Sequence, residues 1–355
     1  MRVAVLGVGL IGGSIGLAAR ELVDGAEVVG FGRDPRKLER ARELGAIDLA
    51  AAGLAEAVEG ADLCFACAPV GALPGQVRAA LDAAGADTVV TDVGSTKGDL
   101  LRAVDDPRFV GGHPIAGAET AGVEHARADL FQGALWYLTP HERSQGLLYE
   151  RLHRFVIDLG ARPVAVDPDT HDRLVAVFSH LPHVLANMLV SQAAERLEKH
   201  GDALRHVGPS FRDATRVAGA NTAMWADIYL SNREAIVQEI RAFGDELEAV
   251  AQRLESGEGV PEWNDRARDD RRTLLEADVP GGPLHELRLT VPNRPGIVAQ
   301  VALELARAGV NIVDMALAPA ADMRSGSMTL WVAGDHEAGR ARELIAALGF
   351  PVGEE

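Results

Sequence analysis

The sequence contains very little cysteine, with only Cys64 and Cys67 among its 355 residues. The two are spaced as C-x-x-C within the stretch ADLCFACAP, whose apolar character is typical of a strand. Residues i and i+3 of a strand point to opposite faces, whereas a redox pair needs both sulfurs on one side. We therefore expect two buried core cysteines and no cysteine-based redox site.

The chain also lacks an excess of positive charge, because 35 Lys and Arg residues against 52 Asp and Glu residues leave a formal net charge of −17. This balance excludes nucleic acid and anionic membrane surfaces as partners. It does not exclude a small anionic substrate. Charges beyond about 8 Å are screened, so a single local arginine can decide whether such a substrate binds.

A long uncharged hydrophobic run is also missing. Residues 3–19 are uncharged and follow Arg2, which would suit a signal peptide or a short membrane span. Five glycines interrupt this run, and Arg20, Glu21 and Asp24 end it too early for a span. We therefore expect no transmembrane segment, no membrane partner and a cytoplasmic protein.

The same N-terminal run contains the most informative motif of the chain. An apolar, partly β-branched stretch (VAVL) predicts a buried parallel strand, and Gly7, Gly9 and Gly12 follow it in G-x-G-x-x-G spacing before a helical stretch. The amides at the start of such a helix, with Leu10 and Ile11, point outward at a positive dipole end. A glycine at position 9 lets a pyrophosphate approach the backbone. This pattern predicts a dinucleotide-binding turn.

The end of the second predicted strand, 27–31, bears on the choice between NAD and NADP. In NAD enzymes this end normally carries an acidic residue that binds the ribose hydroxyls, but here the position is Gly32, followed by Arg33 and Asp34. A small residue followed by arginine suits a 2′-phosphate, so the sequence favours NADP. In the alternative interpretation, Asp34 only caps the helix that starts at Pro35.

Alternating strands and helices continue through the first half of the chain, which predicts a Rossmann-type doubly wound α/β sheet. The further strands are predicted at 62–68, 88–93, 109–112, 135–138 and 163–166. Ligands of such sheets collect at the carboxyl ends of the strands. Pro69, the segment Gly94-Ser95-Thr96-Lys97 and His113 all follow strand ends, so we expect them around one crevice.

We predict three domains: a dinucleotide-binding domain at 1–167, an all-helical domain at 168–279 and a small α+β domain at 284–355. Amphipathic runs at 171–200, 233–256 and 262–276 indicate the helical domain, which could also form a dimer. Residues 280–283 (PGGP) form a linker by composition. The order strand, helix, strand, strand, helix and short tail then predicts a ferredoxin-like α+β arrangement.

Several segments in fixed order carry a resemblance to a known family. They are the glycine turn, GSTK at 94–97, HPIAG at 113–117, DLF at 129–131, and HD at 171–172 followed by SHLPH at 179–183. Together they resemble prephenate dehydrogenases, a family that includes cyclohexadienyl and arogenate dehydrogenases of tyrosine synthesis. The resemblance implies that a hydride passes from ring C4 of prephenate to NAD or NADP while the ring carboxylate leaves as CO2.

The resemblance also implies roles for individual residues. His113 would accept the hydrogen bond of the C4 hydroxyl as a neutral imidazole, and Ser95 would contact the same hydroxyl and the cofactor. Arg216 matches the substrate arginine, and Arg212 would lie one turn earlier on the same helix face. Three further positions of the family's substrate pocket match His171, His183 and Trp225.

The C-terminal stretch resembles an ACT domain, a type that commonly binds an amino-acid effector. Tyrosine would be the effector, since it is the end product of the pathway. The glycine of the predicted strand-to-helix turn would leave the first helix amides exposed to an α-carboxylate. The residues expected at the effector site are Asn293, Arg294, Gly296, Ile297 and Asn311. Alternatively, the domain only forms a dimer.

Some alternatives stay open at this point. His180 and His183 have the spacing of a metal pair, but Pro182 lies between them and no third ligand motif follows, so no metal is predicted. Ser179 and His180 could instead be packing residues, Trp225 a core residue and Lys97 a surface cation. An arogenate-specific enzyme and an inactive amino-acid-binding regulatory protein are the competing functions.

Overall fold

The computed structural model of this chain describes residues 1–117, 120–198, 208–276, 284–319 and 324–353. The strands of its first part are β1 (Arg2–Leu6), β2 (Glu27–Phe31), β3 (Leu49–Ala50), β4 (Leu63–Ala66), β5 (Val89–Asp92), β6 (Phe109–Pro114), β7 (Leu135–Thr139) and β8 (Arg162–Ala165). They form one sheet in the order β3-β2-β1-β4-β5-β6-β7-β8. All neighbours are parallel except β6 and β7. The order reverses between β1 and β4, which makes their carboxyl ends the topological switch point of the sheet.

Helices follow the strands as the alternation predicts, and the expected doubly wound α/β fold is confirmed. The helices of this part are α1 (Leu10–Leu22), α2 (Pro35–Glu43), α3 (Leu54–Val58), α4 (Leu73–Ala83), α5 (Gly98–Ala103) and α6 (Gly146–Asp158). Every residue of β4 and β5 is buried, because a parallel sheet is covered on both faces. The sequence analysis did not find β3, whose two residues are too few to show a periodicity.

The two cysteines occupy different environments. Cys64 lies inside β4 and is fully buried, as expected, and this burial raises the pKa of its thiol to about 12. Cys67 lies just after the end of β4 and is only half-buried, so the prediction of two buried cysteines was wrong for this residue. Burial of its sulfur also raises the pKa of Cys67. Both cysteines are free thiols.

Residues 172–281 form a second compact unit, which is helical throughout its described part. From the preceding residues onward, the elements are α7 (Pro168–Val175), a π-helical segment (Ala176–His180), α8 (Leu181–Glu198), α9 (Pro209–Thr215), a 3-10 segment (Arg216–Gly219), α10 (Thr222–Ser231), α11 (Arg233–Ser256) and α12 (Val260–Glu276). The π-helical segment directly precedes Leu181 and Pro182. A proline lacks the amide that would bond to the carbonyl of residue 178, and its ring crowds that carbonyl, so the wider π turn relieves the clash.

Arg212 and Arg216 do not share one helix, and the prediction that they lie on one helix face was wrong. α9 ends at Thr215, whose hydroxyl donates to the Phe211 carbonyl oxygen at 2.6 Å, and the backbone tightens into 3-10 geometry from Arg216 onward. A threonine hydroxyl bonded to its own helix in this way often accompanies a bend.

The continuous helix over Pro168–Leu197 is long and apolar enough to cross a membrane, since it contains an 18-residue stretch with a mean hydropathy of 1.5. The sequence analysis expected no transmembrane segment and did not single out this helix. A core helix passes the same test by length and composition alone, and this helix carries the buried side chains of His171, Asp172, His180 and His183. Buried polar side chains of this kind mark a site or a packing contact within a helix.

The C-terminal residues form a second sheet with two helices. The elements are β9 (Leu284–Pro292), α13 (Ile297–Arg307), β10 (Ile312–Pro319), β11 (Ser325–Ala333), α14 (Asp335–Ala347) and β12 (Val352–Gly353). The sheet order is β10-β11-β9-β12 and all neighbours are antiparallel. The expected short tail is thus wrong in part, because β12 pairs with the middle of β9. The predicted linker at 280–283 lies outside the described residues.

This C-terminal sheet belongs to the same compact unit as residues 1–171. Its β10 packs against α6, where Arg154 donates to the Met315 carbonyl oxygen at 2.7 Å. Gly296, at φ +82°, donates its amide to the Ser144 carbonyl oxygen at 2.7 Å, and a Cβ at this position would lie 1.8 Å from the Glu142 carbonyl oxygen. The expectation that the first helix amides are exposed was therefore wrong in part, because the turn packs closely against the segment before α6 and the Ile297 amide donates to the Arg294 carbonyl oxygen at 3.4 Å.

His153 on α6 provides a pH-dependent test of side-chain burial on this helix. The side chain is 2% exposed, and burial together with the neighbouring Arg154 lowers the pKa of His153 to about 3. The unfolded chain takes up a proton near pH 6.5 and the folded chain does not, so stability is full above pH 6.5 and is lost as the pH falls toward 3. Between pH 7 and pH 5 this histidine should account for about 2 kcal/mol of lost unfolding free energy.

Urea denaturation of the wild type and of His153→Leu at pH 7 and pH 5 measures this difference. The variant should lose about 2 kcal/mol less on acidification than the wild type. His125→Gln, which changes an exposed histidine, is the matched control and should behave as the wild type does. Equal losses in His153→Leu and the wild type would show that His153 is accessible to protons in the folded state.

Candidate active site

The glycine turn after β1 is shaped by close backbone contacts. Gly7 has φ +110°, and a Cβ there would lie 2.7 Å from the Cys67 carbonyl oxygen, while a Cβ on Gly12 would lie 2.2 Å from the Gly7 carbonyl oxygen. A Cβ on Gly9, in contrast, would meet no atom within 4 Å. Gly7 and Gly12 thus allow α1 to pack closely on the turn, and Gly9 keeps open space in front of the helix.

α1 begins at Leu10 with Gly9 as its N-cap residue, and no side chain caps its first amides. Uncapped amides at a helix start, together with the helix dipole, form an anion site. The open space at Gly9 lies where a phosphate would approach. The residues present therefore fit a dinucleotide, with the amides of Ile11 and Gly12 near its pyrophosphate.

A cleft of about 650 Å³ lies in front of this turn, which is ample for part of a dinucleotide. Four of the predicted cofactor residues line it: Gly7, Gly9, Arg33 and Pro69. Lys37 on α2 also lines the cleft and was missed in the sequence. Lys37 lies in the first turn of α2, shortly after the end of β2, and this position could have indicated a contact with the cofactor.

At the end of β2 the structure confirms the capping role of Asp34, and the preference for NADP stays a prediction. The Asp34 carboxylate caps α2 by accepting the Arg36 amide at 3.0 Å, with Pro35 at the first helical position. Asp34 is therefore engaged in capping, while Arg33 is exposed in the cleft. A Cβ on Gly32 would meet only Leu38, at 3.5 Å, so this position has room for a side chain.

His113 lies on β6, whose carboxyl half pairs with β7 so that His113 is opposite Tyr137. His171 on α7 is fully buried, and its Nε2 lies 2.9 Å from Nδ1 of His113. The ring of His171 also meets the edge of Tyr137, with centroids 5.4 Å apart and planes at 88°. In a hydrogen bond between two imidazoles, one nitrogen donates and the other accepts, so the tautomer of His113 depends on that of His171.

Ser95 follows β5 in the loop before α5, and its neighbours are tied to β6. The Asp92 carboxylate accepts the Gly94 amide at 2.8 Å and the Gly112 amide at 3.0 Å, and it pairs with the Lys97 ammonium. Lys97 is fully buried, so its interpretation as a surface cation was wrong. Asp92 was missed in the sequence analysis. An acidic residue at the end of an apolar strand was the sequence feature that could have indicated its role.

The other predicted substrate residues lie in the helical unit. The imidazole of His183 stacks on Trp225 with ring centroids 3.5 Å apart and planes at 2°, and its Nδ1 is hydrogen-bonded to the Tyr229 hydroxyl. Burial lowers the pKa of His183, with the Val217 backbone acting in the opposite direction, so the ring is neutral at pH 7. Arg216 directly precedes Val217 and is exposed.

His180 serves packing within the same unit. Its Nδ1 lies 3.2 Å from Nδ2 of Asn232, and that amide also donates to the Asp172 carbonyl oxygen at 2.7 Å. The imidazoles of His180 and His183 both contact Trp225, but their Nδ1 atoms are hydrogen-bonded to different side chains, Asn232 and Tyr229. Within the described ranges no group of three potential metal-ligating side chains occurs.

A doubly wound sheet, an uncapped helix behind a glycine turn and a histidine pair at a nearby strand end define a class of protein. They are the parts of a dinucleotide-dependent dehydrogenase, in which the turn holds the cofactor and a histidine moves the proton.

Comparison with known proteins agrees with this class and narrows it. Residues 15–165 match the family domain "Prephenate dehydrogenase, nucleotide-binding domain" and residues 167–262 match "Prephenate dehydrogenase, dimerization domain". The prephenate dehydrogenase of Bacillus subtilis is 29% identical over 97% of this chain and 95% of that protein. The cyclohexadienyl dehydrogenase of Zymomonas mobilis is 31% identical over 72% of this chain and 89% of that protein.

Among solved structures, prephenate dehydrogenase from Aquifex aeolicus in complex with hydroxyphenyl propionate and NAD+ is similar. It has a TM-score of 0.73 and 30% identity, over 77% of this chain and 98% of that chain. The chain belongs to the prephenate dehydrogenase family of NAD-dependent oxidoreductases. The family resemblance predicted from the motifs is therefore confirmed.

The Arg33 environment predicts a preference for NADP that can be measured. Gly32→Asp combined with Arg33→Ala should shift the NADP-to-NAD preference ratio toward NAD by about 10- to 150-fold, because one charge-assisted hydrogen bond contributes about 1.5–3 kcal/mol. Steady-state rates with each cofactor give the ratio. Arg40→Ala changes an arginine of α2 outside the cleft and should leave it unchanged. An unchanged ratio in the double variant would show that Arg33 does not contact the cofactor.

Proposed function

We propose that this chain oxidises prephenate to 4-hydroxyphenylpyruvate and CO2 with NAD or NADP. The observation that carries the proposal is the histidine pair at the edge of a dinucleotide-binding sheet, with ring nitrogens 2.9 Å apart. When bound, the nicotinamide would supply the hydride acceptor for ring C4. Aromatisation of the ring drives the reaction, so the protein mainly positions groups and withdraws the proton of the C4 hydroxyl. The proton returns to the same oxygen once loss of CO2 has left a phenolate, which gives the 4-hydroxyl of the product.

His113 is the general base in this proposal. Its Nδ1 is used by His171, so the nitrogen that meets the substrate hydroxyl is Nε2. Nε2 accepts a proton only if Nδ1 carries the ring hydrogen, and Nε2 of His171 is positioned to accept that hydrogen in a hydrogen bond. His171 therefore acts on the tautomer of His113, and Ser95 gives a second contact to the hydroxyl.

Arg216 binds the ring carboxylate in this proposal, because a guanidinium can bond a carboxylate through two parallel hydrogen bonds. The exposure of Arg216 and its place next to Val217, beside His183, support this role. The neutral His183 and the stacked Trp225 form the wall for the side chain of the substrate. Arg212, on the preceding helix, adds a second positive charge.

Arogenate is a second candidate substrate. Its ring chemistry is the same as that of prephenate, and the chain is 31% identical to a relative named cyclohexadienyl dehydrogenase. An amino group replaces the keto group on the substrate side chain. A neutral imidazole of His183 that accepts from the Tyr229 hydroxyl through Nδ1 has its N–H on Nε2 and can donate it to a keto oxygen, so we propose prephenate as the principal substrate and arogenate as a slower one.

We further propose that the C-terminal unit is a ferredoxin-like ACT domain that binds tyrosine. The order of its elements and the antiparallel order β10-β11-β9-β12 support this assignment. The Bacillus subtilis relative aligns over 97% of this chain, which includes this unit. The effector would lie near Asn293, Arg294, Ile297 and the exposed Asn311, beside the turn in which Gly296 is bonded to Ser144.

We also propose that the helical unit forms a homodimer in the cytoplasm. Its family match is described as a dimerization domain. Large apolar side chains are exposed along its helices: Met188, Leu189, Val190, Leu230, Val237, Ile240, Leu247 and Leu254. An apolar surface of this extent is typical of an interface, and a second copy of the helical unit would cover it.

The proposed reaction is tested with His113→Asn. This variant should bind the dinucleotide normally and turn over prephenate about 10²–10⁴ times more slowly, because it lacks the general base. Formation of reduced cofactor is followed spectroscopically. Arg216→Ala is the matched comparison and should weaken substrate binding by about 10- to 150-fold with unchanged cofactor affinity. Near-normal turnover by His113→Asn would place the base elsewhere.

The effector proposal is tested by titrating tyrosine into the full chain and into Asn293→Ala. A coupling of about 1–3 kcal/mol should raise the apparent KM for prephenate several-fold to about a hundredfold in the wild type, and the variant should lose this response. Arg340→Ala, an exposed change on α14, is the control and should respond as the wild type does. Equal inhibition of Asn293→Ala and the wild type would mean that tyrosine competes at the active site.

A further inference from the structure

Asp92 and Lys97 form an ion pair that is completely buried, with no exposed side-chain surface on either residue. Asp92 is the last residue of β5, and Lys97 is the residue before α5. Two charges removed from water need strong compensation, and apolar replacements of buried ion pairs are often no less stable. The pair is therefore better explained by the backbone segments that its carboxylate holds in place than by a contribution to stability.

The carboxylate connects two backbone segments that diverge. β5 and β6 pair at Val90 with Phe109 and at Thr91 with Val110, and just beyond these pairs β6 turns its hydrogen bonds toward β7. At that point the Gly112 amide donates to Oδ1 of Asp92 at 3.0 Å, and the Gly94 amide donates to Oδ2 at 2.8 Å. The Asp92 side chain thus provides the hydrogen bonds that the two strands no longer make with each other where their ends separate.

Two glycines, Gly94 and Gly111, leave space beside the side chains of this ion pair, and Gly112 allows close approach to the Asp92 backbone. A Cβ on Gly94 would lie 3.0 Å from Oδ2 of Asp92 and 3.5 Å from Nζ of Lys97. A Cβ on Gly111 would lie 3.1 Å from Cδ of Lys97, and one on Gly112 would lie 2.6 Å from the Asp92 carbonyl oxygen. The pair is therefore enclosed by backbone, and a shift of its carboxylate moves the segments on both sides.

The two amides that the carboxylate binds belong to the residues directly before Ser95 and His113. We propose that Asp92, with its charge balanced by Lys97, is a positioning residue that sets the spacing between Ser95 and His113 for the reaction. Neither Asp92 nor Lys97 contacts the substrate in this proposal. The proposal rests on the roles proposed above for Ser95 and His113. Catalysis depends steeply on such spacing, since a misplacement of 1 Å can slow a reaction about 10²-fold.

The test uses the full-length enzyme with Asp92→Asn and Lys97→Met combined, which removes both charges together. An asparagine oxygen can accept only one of the two amides well, because its NH2 group faces the other donor. We expect kcat to fall about 10- to 100-fold, while KM for prephenate and the Kd of the dinucleotide stay within about 3-fold of the wild type. A second variant, Asp92→Glu, keeps the charges and displaces the carboxylate by about 1.5 Å, and the same selective loss of kcat is expected.

Asp106 and Arg108 provide a matched control at the opposite end of β6. Their ion pair spans 2.8 Å, and the side-chain hydrogen bond from Arg108 holds the pKa of Asp106 below its usual value. Asp106→Asn combined with Arg108→Met should lower the thermal unfolding temperature and leave kcat within about 2-fold of the wild type, since this pair holds no catalytic segment.

Three results would overturn the proposal: a wild-type kcat in folded Asp92 variants, an equal loss of kcat in the control pair, or failure of both Asp92 variants to fold while the control folds. The last result would show that the pair serves the fold itself. Failure of the proposed function is separate, because it would appear as absent prephenate oxidation in the wild type. An active wild type with unaffected Asp92 variants would reject only the positioning role.

Discussion

The close packing of α1 on the turn after β1 is the contact on which the rest of the cofactor site depends. A Cβ on Gly12 would lie 2.2 Å from the Gly7 carbonyl oxygen, so no other residue allows the helix to start where it does. This start places uncapped amides at the switch point of the sheet, where the strand order reverses between β1 and β4. The cleft, the β2 end with Arg33 and the loop with Pro69 all surround that point.

A second constraint is the change of direction at β7. Because β7 is antiparallel to β6, it places Tyr137 opposite His113 and against the ring of His171. The chain that leaves β7 passes Ser144, which accepts the Gly296 amide, and continues into α6 against β10. One strand therefore connects the histidine pair with the turn near the proposed effector site. That turn therefore contacts a segment that is continuous with the strand pair β6 and β7.

Much of the first part of the chain could be predicted because its signals are local. The glycine spacing, the apolar strands and the residues at strand ends follow directly from the order of residues, and the family motifs added the dehydrogenase class. The burial of Lys97 could not be predicted this way, because a lysine before a helix is usually a solvated cation. Only the convergence of Asp92, Gly94 and Gly112 around it shows that its charge is compensated inside the protein.

The sequence by itself determined most of the longer elements and the chemistry they carry, because hydrophobic periodicity, glycine turns and proline positions act over a few residues. It did not determine that β12 pairs with β9, that the Gly296 amide bonds to Ser144, or that His171 meets His113. These contacts join residues that are distant in the chain, and a single residue type is compatible with several partners. The tertiary structure decided them, since packing and hydrogen-bond satisfaction are properties of the assembled fold.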